Sequence, residues 1–245
     1  MTGLITKLFA MSADANGVSE LKPREIVFTG SKLAFSMPEN FSPDFPAENL
    51  ISQVDLNNSA LYESSNKALL LRRWWDFTEK SFFSTNQMGT IMLSISVVRS
   101  SVEYSDRLAL IDVIHKGLDK QYKESNKTTQ ADFQVAYPET YESFNESLFN
   151  GQRWLSYVVA PMNASEATVS FVSPLSNKHY VEMAFTLMPS AKIDTREFED
   201  KFSRVFIDTL MTSTSLKYEE EGTGNRLGVD IDAPGIDDLV SKKLK

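Results

Sequence analysis

His115 and His179 are the only imidazoles in the chain that could act as a general base, and there is no cysteine. Without cysteine there is no thiol nucleophile, no disulfide and no Cys-based zinc or iron–sulfur site, and two histidines are too few for a three-histidine zinc site. A serine hydrolase would have to use one of these histidines, and the Gly-x-Ser-x-Gly pentapeptide of the α/β-hydrolases does not occur. A His-dependent hydrolase of unrecognised type stays open as an alternative.

Each histidine also has an ordinary structural interpretation. His115 flanks the apolar stripe of a predicted helix near its last turn, where a cationic ring complements the helix dipole. His179 follows Asn177 and Lys178 and opens a predicted strand, which favours a solvated position. We therefore predict no catalytic residue, and the chain is not expected to be an enzyme.

Two segments near the C-terminus have the composition of ligand-binding loops but not their spacing. Residues 222–228 resemble a dinucleotide fingerprint, but the third glycine, Gly228, comes one residue late and an acidic run precedes the segment. A calcium loop beginning at Asp230 would have Pro234 at its fifth position. We therefore predict no cofactor and no metal site.

The best candidate for a binding surface is a segment rich in tryptophan, phenylalanine and arginine, residues 72–83. On a strand, Trp74 and Trp75 point to opposite faces, so one can lie in the core while the other meets solvent or a partner. Tryptophan and arginine dominate the energetics of many protein interfaces. The predicted partner-binding residues are Arg73, Trp74, Trp75 and Phe77, together with the acidic residues Glu219, Glu220 and Glu221. The alternative is that helices and loops cover both sides of this strand.

The charge balance bears on the kind of partner. The chain has 25 basic and 33 acidic residues, a net charge of −8 at pH 7. Nucleic acid is disfavoured because a domain that binds it needs a net cationic face. An anionic binder suits a cationic protein, since opposite potentials raise the association rate. No apolar run approaches the ~20 residues of a membrane-spanning helix, so no membrane span is predicted.

The first half of the chain is predicted to consist of strands followed by one helix. The predicted strands are residues 25–29, 32–36, 67–77 and 89–99. Gly30 and Ser31 form a two-residue connection typical of a tight hairpin. Ser105 is the predicted N-cap of a helix with an apolar stripe. The members of that stripe are Leu108, Ile111, Ile114, Leu118 and Tyr122.

The second half repeats this order. The predicted strands are residues 132–137, 153–160, 168–173 and 179–187, each closely followed by a proline. Because proline cannot continue a sheet ladder, short antiparallel strands joined by turns are expected. A closing helix is predicted to begin at Asp194, whose carboxylate and Glu197 have the spacing of a capping box.

Strands followed by an amphipathic helix in both halves predict an α+β fold with antiparallel sheets, each covered by one helix. Two similar lobes, residues 20–126 and 130–217, are predicted on either side of a polar linker at residues 126–130. One larger sheet that carries both helices is the alternative. Residues 218–245 are acidic and rich in glycine, which is typical of a flexible tail.

Both ends of the chain carry a family resemblance. Residues 28–41 lead from a strand into a proline-rich loop, and residues 180–187 and 194–215 form a long strand and a terminal helix that closes with the serine-rich residues 212–215. These segments resemble the N-terminal hairpin and the last strand and helix of the PsbP-like superfamily of small α+β proteins.

The resemblance implies a function in binding. Bacterial members and look-alikes include envelope proteins, effector-loading chaperones and immunity proteins of type VI secretion, which neutralise a toxin by plugging its active site. A non-catalytic immunity or inhibitor protein that binds a secreted toxin or effector is therefore expected. The alternative is an effector-loading chaperone or adaptor with a long hydrophobic groove. The periplasm is the expected compartment, or the cytoplasm if Met1 is the native start, since Lys7 interrupts the apolar core of a would-be signal peptide.

Overall fold

The N-terminal strands form a hairpin, as predicted. A computed structural model describes residues 20–45, 50–62, 66–80, 85–162, 165–191 and 195–219 of the chain. β1 (Leu21–Phe28) pairs antiparallel with β2 (Ser31–Pro38). Gly30 has a φ of 77°, a left-handed conformation that glycine adopts without steric cost. The turn residues are therefore Thr29 and Gly30, one position earlier than predicted.

Two short strands complete a four-stranded sheet around this hairpin. β3 (Gln53–Val54) runs parallel to β1, and β11 (Ser215–Tyr218) pairs antiparallel with β2, which gives the order β11-β2-β1-β3. β11 is not among the predicted strands, and Tyr218 belongs to this strand rather than to the predicted tail. The Tyr218 hydroxyl donates a hydrogen bond to the carbonyl oxygen of Pro174 at 2.6 Å. A four-residue strand carries too little periodicity to be recognised, and this one forms because the preceding helix returns the chain beside β2.

The other strands of the described residues form a seven-stranded antiparallel sheet. They are β4 (Lys67–Lys80), β5 (Thr85–Arg99), β6 (Val135–Ala136), β7 (Asn145–Phe149), β8 (Gln152–Pro161), β9 (Ala167–Pro174) and β10 (His179–Pro189). Their order is β4-β5-β10-β9-β8-β6, and β7 pairs with β8. The strands predicted at 67–77, 89–99, 153–160, 168–173 and 179–187 are confirmed.

β7 is not among the predicted strands, and β6 is shorter than the strand predicted at residues 132–137. β7 and β8 are joined by Asn150 and Gly151, with φ values of 50° and 75°. Two left-handed residues in succession make the turn that two-residue hairpins favour, and Asn-Gly is its usual sequence, so this signal was present. Residues 132–137, predicted as one strand, hold part of a 3-10 helix (Ala131–Phe133) and the two residues of β6.

The long helix of the first half is α1 (Arg107–Thr128). Its N-cap is Asp106 rather than the predicted Ser105. Asp106 Oδ1 accepts a hydrogen bond from the backbone N–H of Ala109 at 2.9 Å, and its charge complements the positive end of the helix dipole. The helix includes most of the polar segment predicted as a linker. Its buried side chains are Leu110, Ile111, Ile114 and Leu118, and the last three belong to the predicted stripe.

The described part of the chain closes with α2 (Thr195–Phe198), a π-helical turn (Glu199–Ser203) and α3 (Arg204–Ser213). The predicted cap, Asp194, lies outside the described residues. The buried apolar side chains of this segment include Phe198, Phe202, Phe206 and Leu210.

The two faces of the seven-stranded sheet are buried by different elements. On the first, which we call the apolar face, the alternate residues of β5 from Ile91 to Val97 are fully buried in one cluster with α3 and the four-stranded sheet. The second, the tyrosine face, carries Tyr157 of β8 and Tyr180 of β10 in a cluster with α1. An α+β fold with antiparallel sheets is thus confirmed.

Both sheets combine strands from the two sides of the boundary predicted at residues 126–130. β5 pairs with β10 along its length, from Arg99 opposite His179 to Gly89 opposite Pro189, and β2 pairs with β11. The division into two similar lobes stays a prediction.

Candidate functional site

Two of the predicted binding residues, Trp75 and Phe77, lie on the apolar face, where their side chains are 1% and 2% exposed. The ring centroids of Trp75 and Phe206 are 5.1 Å apart, and Phe77 meets Phe206 edge-on at 5.3 Å. Aromatic pairs at these separations stabilise packing beyond the area that they bury. Both residues therefore hold β4 against α3 and present no surface to a partner.

Arg73 is also turned inward. Its Cζ lies 4.8 Å from the ring centroid of Phe41, and its Nη1 donates a hydrogen bond to the carbonyl oxygen of Arg72 at 2.8 Å. Phe41 belongs to the proline-rich segment that follows β2. Arg73 therefore packs under this segment and is buried.

Trp74 is the member of the predicted set that reaches the surface from β4, where it is partly exposed on the tyrosine face. The Phe45 ring stacks on it, with centroids 5.1 Å apart and 10° between the ring planes. Arg72 Cζ lies 5.9 Å from the Trp74 ring centroid. The backbone N–H of Ser42 donates to the carbonyl oxygen of Trp74 at 2.8 Å, which ties the segment that carries Phe45 to β4. The result is an ordered, partly exposed aromatic stack with a guanidinium beside it.

The strand register places further side chains around Trp74. Residues directly opposite each other on paired strands point to the same face, and Trp74 is opposite Met92 while Arg72 is opposite Ser94. The α1 side chains pack further along this face, against β8, β9 and β10. We call the part that no described helix covers the open face. Its partly exposed residues are Leu69, Arg72, Trp74, Met92 and Ser94, with Phe45 stacked on Trp74.

An ion pair between buried Glu182 and exposed Lys67 lies beside the open face, and neither residue is among the predicted site residues. Oε2 of buried Glu182 accepts a hydrogen bond from Lys67 Nζ at 2.5 Å, and Oε1 accepts one from the Tyr157 hydroxyl at 2.6 Å. Burial by itself raises the pKa of Glu182, but Lys67, Tyr157 and Ser170 outweigh it, so the pKa lies below its ordinary value. The ionised carboxylate thus links β4, β8 and β10. In the sequence, the feature that could have indicated this site is Glu182, a single carboxylate in the otherwise apolar strand β10.

His115 lies on α1 beside an open depression of about 480 Å³. Its Nε2 is 4.0 Å from Asp119 Oδ1, and Asp119 also accepts hydrogen bonds from Lys123 Nζ at 3.1 Å and from the Tyr137 hydroxyl at 2.9 Å. The hydrogen bonds from Lys123 and then Tyr137 lower the pKa of Asp119. Asp119 is thus engaged in surface contacts, and in the described residues no serine or threonine hydroxyl bonds to the His115 ring.

The prediction that His179 is solvated is wrong. Its side chain is buried, because the ring packs against Tyr62. Nδ1 lies 3.0 Å from Ser176 Oγ, and that oxygen accepts hydrogen bonds from the backbone N–H groups of Lys178 and His179 at 3.2 and 3.1 Å. Burial, with help from Arg99 and Lys178, lowers the pKa of His179, so the ring is neutral at pH 7. These contacts organise the turn between β9 and β10.

Glu219, one of the three acidic residues predicted to bind, does not join the aromatic stack. The exposed Glu219 donates its backbone N–H to the carbonyl oxygen of Gly30 at 3.0 Å, at the start of β2. Trp75 Nε1 donates to the carbonyl oxygen of Pro38 at 3.3 Å, at the other end of β2. At roughly 3.3 Å per residue, the two ends of this strand are about 25 Å apart. Glu220 and Glu221 lie outside the described residues.

Comparisons with known proteins give a distant structural likeness. No family model matches the chain, and no curated protein matches it. Among solved structures, the chain is similar to the Ran-binding protein Mog1p of Saccharomyces cerevisiae. The two chains are 14% identical, the match covers 80% of this chain and 96% of Mog1p, and the TM-score is 0.34. So distant a likeness says nothing about a partner of this chain.

Each helix of the described residues is too short or too polar to cross a bilayer.

Proposed function

We propose that this chain is a non-catalytic protein-binding protein whose contact surface is the open face. The observation that supports this is the stack of Phe45, Trp74 and Arg72, which is formed in the structure without a partner. A rigid aromatic side chain at a surface loses little conformational entropy on binding. Tryptophan and arginine are also the residue types that carry most of the binding energy at protein interfaces.

The surroundings of the stack suit the same role. Met92 adds apolar area directly opposite Trp74, Leu69 adds more further along the same face, and the Ser94 hydroxyl adds a hydrogen-bonding group. The bond between Lys67 and Glu182 joins β4 to β10 next to this surface. Binding surfaces of this composition, an aromatic centre with polar groups around it, are typical of protein–protein contacts.

In its finer form, the proposal is that the partner is a cationic secreted toxin or effector, such as a type VI effector, and that this chain is the immunity protein that blocks its active site. The net charge of −8 supports a cationic partner, because complementary potentials accelerate association. Glu219 would act only through the overall field, since β2 alone separates its contact at Gly30 from the Trp75 contact at Pro38 by about 25 Å, which exceeds the screening length of about 8 Å at physiological salt.

The contacts of the two histidines support a role without catalysis. A nucleophilic site needs a base beside a hydroxyl and an acid that orients the base. The described contacts of His179 include a serine but no carboxylate, and those of His115 include Asp119 but no serine. We therefore favour binding over the His-dependent hydrolase.

The test is capture of a partner by variants that differ only at the surface. Tagged full-length chain, its Trp74→Ala variant and a control, Val102→Ala, an exposed apolar residue elsewhere, are incubated with host lysate and secreted protein. A captured protein counts only if the wild type and the control bind it and Trp74→Ala does not. With that protein purified, Trp74→Ala should weaken the Kd by about 30-fold, as expected of an interface hot spot. Equal affinity of all three forms would contradict the proposal.

A second measurement separates the finer alternatives. An immunity protein should abolish the toxicity and the isolated activity of its partner in a one-to-one complex. An effector-loading chaperone should instead raise the partner's level or secretion and leave its activity intact. If His115→Ala or His179→Asn removes an activity of the chain while partner binding stays intact, the hydrolase alternative replaces the proposal.

A further inference from the structure

The β8 strand carries apolar side chains beyond the point where the core covers them. On the apolar face, Trp154 is 0% exposed and Ser156 is buried, whereas Val158 is 49% exposed. Ala160 is partly exposed, and Met162, directly after the strand, is 65% exposed. Alternate residues of a strand point to one side. Three apolar side chains in succession therefore project from the far end of β8.

A depression of about 270 Å³ adjoins these side chains. Ala136 of β6, which pairs with Ala160, lines it together with Pro138 and Val158. The backbone N–H of Met162 donates to the carbonyl oxygen of Gln134 at 2.8 Å, which places the exposed Phe133 close by. We call this surface the apolar patch. Its residues are Phe133, Ala136, Val158, Ala160 and Met162.

Clustering distinguishes this patch from ordinary exposed side chains. Single apolar residues at a surface need no explanation, whereas contiguous patches mark interaction sites. Of the seven large hydrophobic side chains that are exposed among the described residues, Phe133, Val158 and Met162 lie here.

The rim of the patch is acidic. Between residues 131 and 177 the only basic residue is Arg153, and it pairs with Glu146 at 3.2 Å. The four other acidic residues of this segment are exposed, and no ion pair reaches them within the part of the chain that the structure describes. They are Asp132, Glu139, Glu142 and Glu166.

Two lysines that share a depression with Glu139 of this rim are bonded to other carboxylates. Lys123 and Lys127 line a neighbouring depression together with Glu139. Lys123 Nζ is bonded to Asp119 at 3.1 Å, and Lys127 Nζ to Glu124 at 2.7 Å. The apolar patch is therefore bordered by carboxylates whose charge is not balanced locally.

We infer that the apolar patch is a docking surface for a cationic amphipathic helix of a partner protein. The apolar stripe of such a helix would enter the depression between β6 and β8, and its basic residues would meet the four rim carboxylates. A second copy of this chain is a poorer occupant, because a two-fold contact would set the same carboxylates against each other.

This surface is separate from the open face. The open face lies on β4 and β5, whereas the patch lies at the β8–β6 edge of the sheet and projects from its other face. The inference therefore does not depend on the proposed function, and either can fail alone.

The experiment uses the full chain and synthetic helical peptides as probes. Three fluorescent peptides of roughly 18 residues, about five helical turns, are compared: an amphipathic one of leucine and lysine, its leucine–glutamate counterpart, and a scrambled leucine–lysine control. Anisotropy titrations should show saturable binding of the amphipathic cationic peptide alone. Equal binding of the scrambled or the acidic peptide would overturn the inference.

Variants then locate the binding. Val158→Thr combined with Met162→Gln should weaken binding of the cationic peptide at least tenfold, because apolar contact area is lost. Glu139→Gln with Glu142→Gln and Glu166→Gln should weaken it and flatten its salt dependence. Val102→Thr should bind like the wild type. These side chains are exposed or partly exposed, and an unchanged thermal midpoint checks the fold.

Two results would overturn the inference at this stage. One is binding that the Val158/Met162 double variant leaves unchanged. The other is a wild type that is a dimer and a double variant that is a monomer, as measured by light scattering after size exclusion. The patch would then be a contact between copies of this chain.

Discussion

The two faces of the seven-stranded sheet are packed by different chemistry, although they share the same strands. On the apolar face, aliphatic and aromatic side chains fill the space up to α3, with Trp75 against Phe206. On the tyrosine face, the side chains that meet α1 include Tyr157 and Tyr180, and Glu182 is buried among them. β10 supplies both faces alternately, and its residues 179–187 are all buried.

The difference has a consequence for function. An apolar core is stabilised by close packing, so uncovered area on that face costs free energy. A face with satisfied hydrogen-bonding groups loses less when part of it meets water, whereas its buried charge makes it sensitive to protonation. The open face around Trp74 lies on this second, more polar side, while the apolar patch at the end of β8 is where the first face is left uncovered.

The largest expected effect is on the apolar face. Trp75→Ala should lower the free energy of unfolding by about 3–5 kcal/mol, because it leaves a cavity against Phe206 and Phe41. Urea unfolding followed by circular dichroism measures this. A loss of less than about 1 kcal/mol would mean that the apolar face does not depend on this contact.

The second prediction concerns close packing at Gly89 of β5. A Cβ there would lie 2.7 Å from the Met188 carbonyl oxygen and from two ring carbons of Phe198. Gly89→Ala should therefore destabilise by about 1–3 kcal/mol through overpacking. The matched control is Gly117→Ala on α1, where nothing lies within 4 Å of the added Cβ, and which should stabilise by about 0.5–1 kcal/mol. If both variants changed the free energy of unfolding in the same direction, close packing on the apolar face would not explain the effect at Gly89.

The third prediction tests the charge on the tyrosine face. Because the pKa of Glu182 lies below its value in the unfolded chain, the ionised carboxylate stabilises the fold above the unfolded pKa of about 4.3, and this stabilisation is lost as the pH falls through the folded pKa. Glu182→Gln should therefore cost about 1–3 kcal/mol at neutral pH and progressively less as the medium is acidified. Urea midpoints of the wild type and the variant, measured from neutral to acidic pH, give the difference in stability between them.

A control separates this effect from general acid sensitivity. Glu25 pairs with Lys32 at 2.7 Å in a solvent-exposed ion pair, which contributes at most about 1 kcal/mol. Glu25→Gln should change the urea midpoint little at any pH. If Glu182→Gln lowers the stability as much at acidic pH as at neutral pH, the Glu182 carboxylate is not the group that makes the tyrosine face pH-sensitive.

The smallest effect is expected at Trp74. Because this side chain is partly exposed and packs on Phe45 and Arg72, Trp74→Ala should destabilise by no more than about 1 kcal/mol, several-fold less than Trp75→Ala. Thermal unfolding of the two variants side by side measures the contrast. Equal losses would mean that Trp74 serves the core and would remove the basis for treating the open face as a binding surface.

Much of the fold could be predicted from local patterns. The alternation from Ile91 to Val97 and the apolar spacing in α1 and α3 are properties of neighbouring residues, and the corresponding strands and helices form. β7 could also have been found, because Asn150 and Gly151 are a hairpin signal. β11 could not, because its four residues acquire a partner only when α3 returns the chain beside β2.

The candidate site was predictable only in part. That Trp74 and Trp75 point to opposite faces follows from strand geometry, but which of them is covered depends on where α3 and the segment with Phe45 pack. The pairing of Glu182 with Lys67 joins residues far apart in sequence, and no local pattern specifies such a contact. The same holds for Glu219, which the fold places at the far end of β2 from the tryptophans.

The sequence by itself determined the chemistry that is available: no thiol, two imidazoles, an acidic balance and one aromatic segment. It also determined most strands and helices, because periodicity is a property of adjacent residues. Only the tertiary structure decided which tryptophan meets solvent, which carboxylate is buried and where β8 leaves the core. These depend on the register and packing of strands from distant parts of the chain.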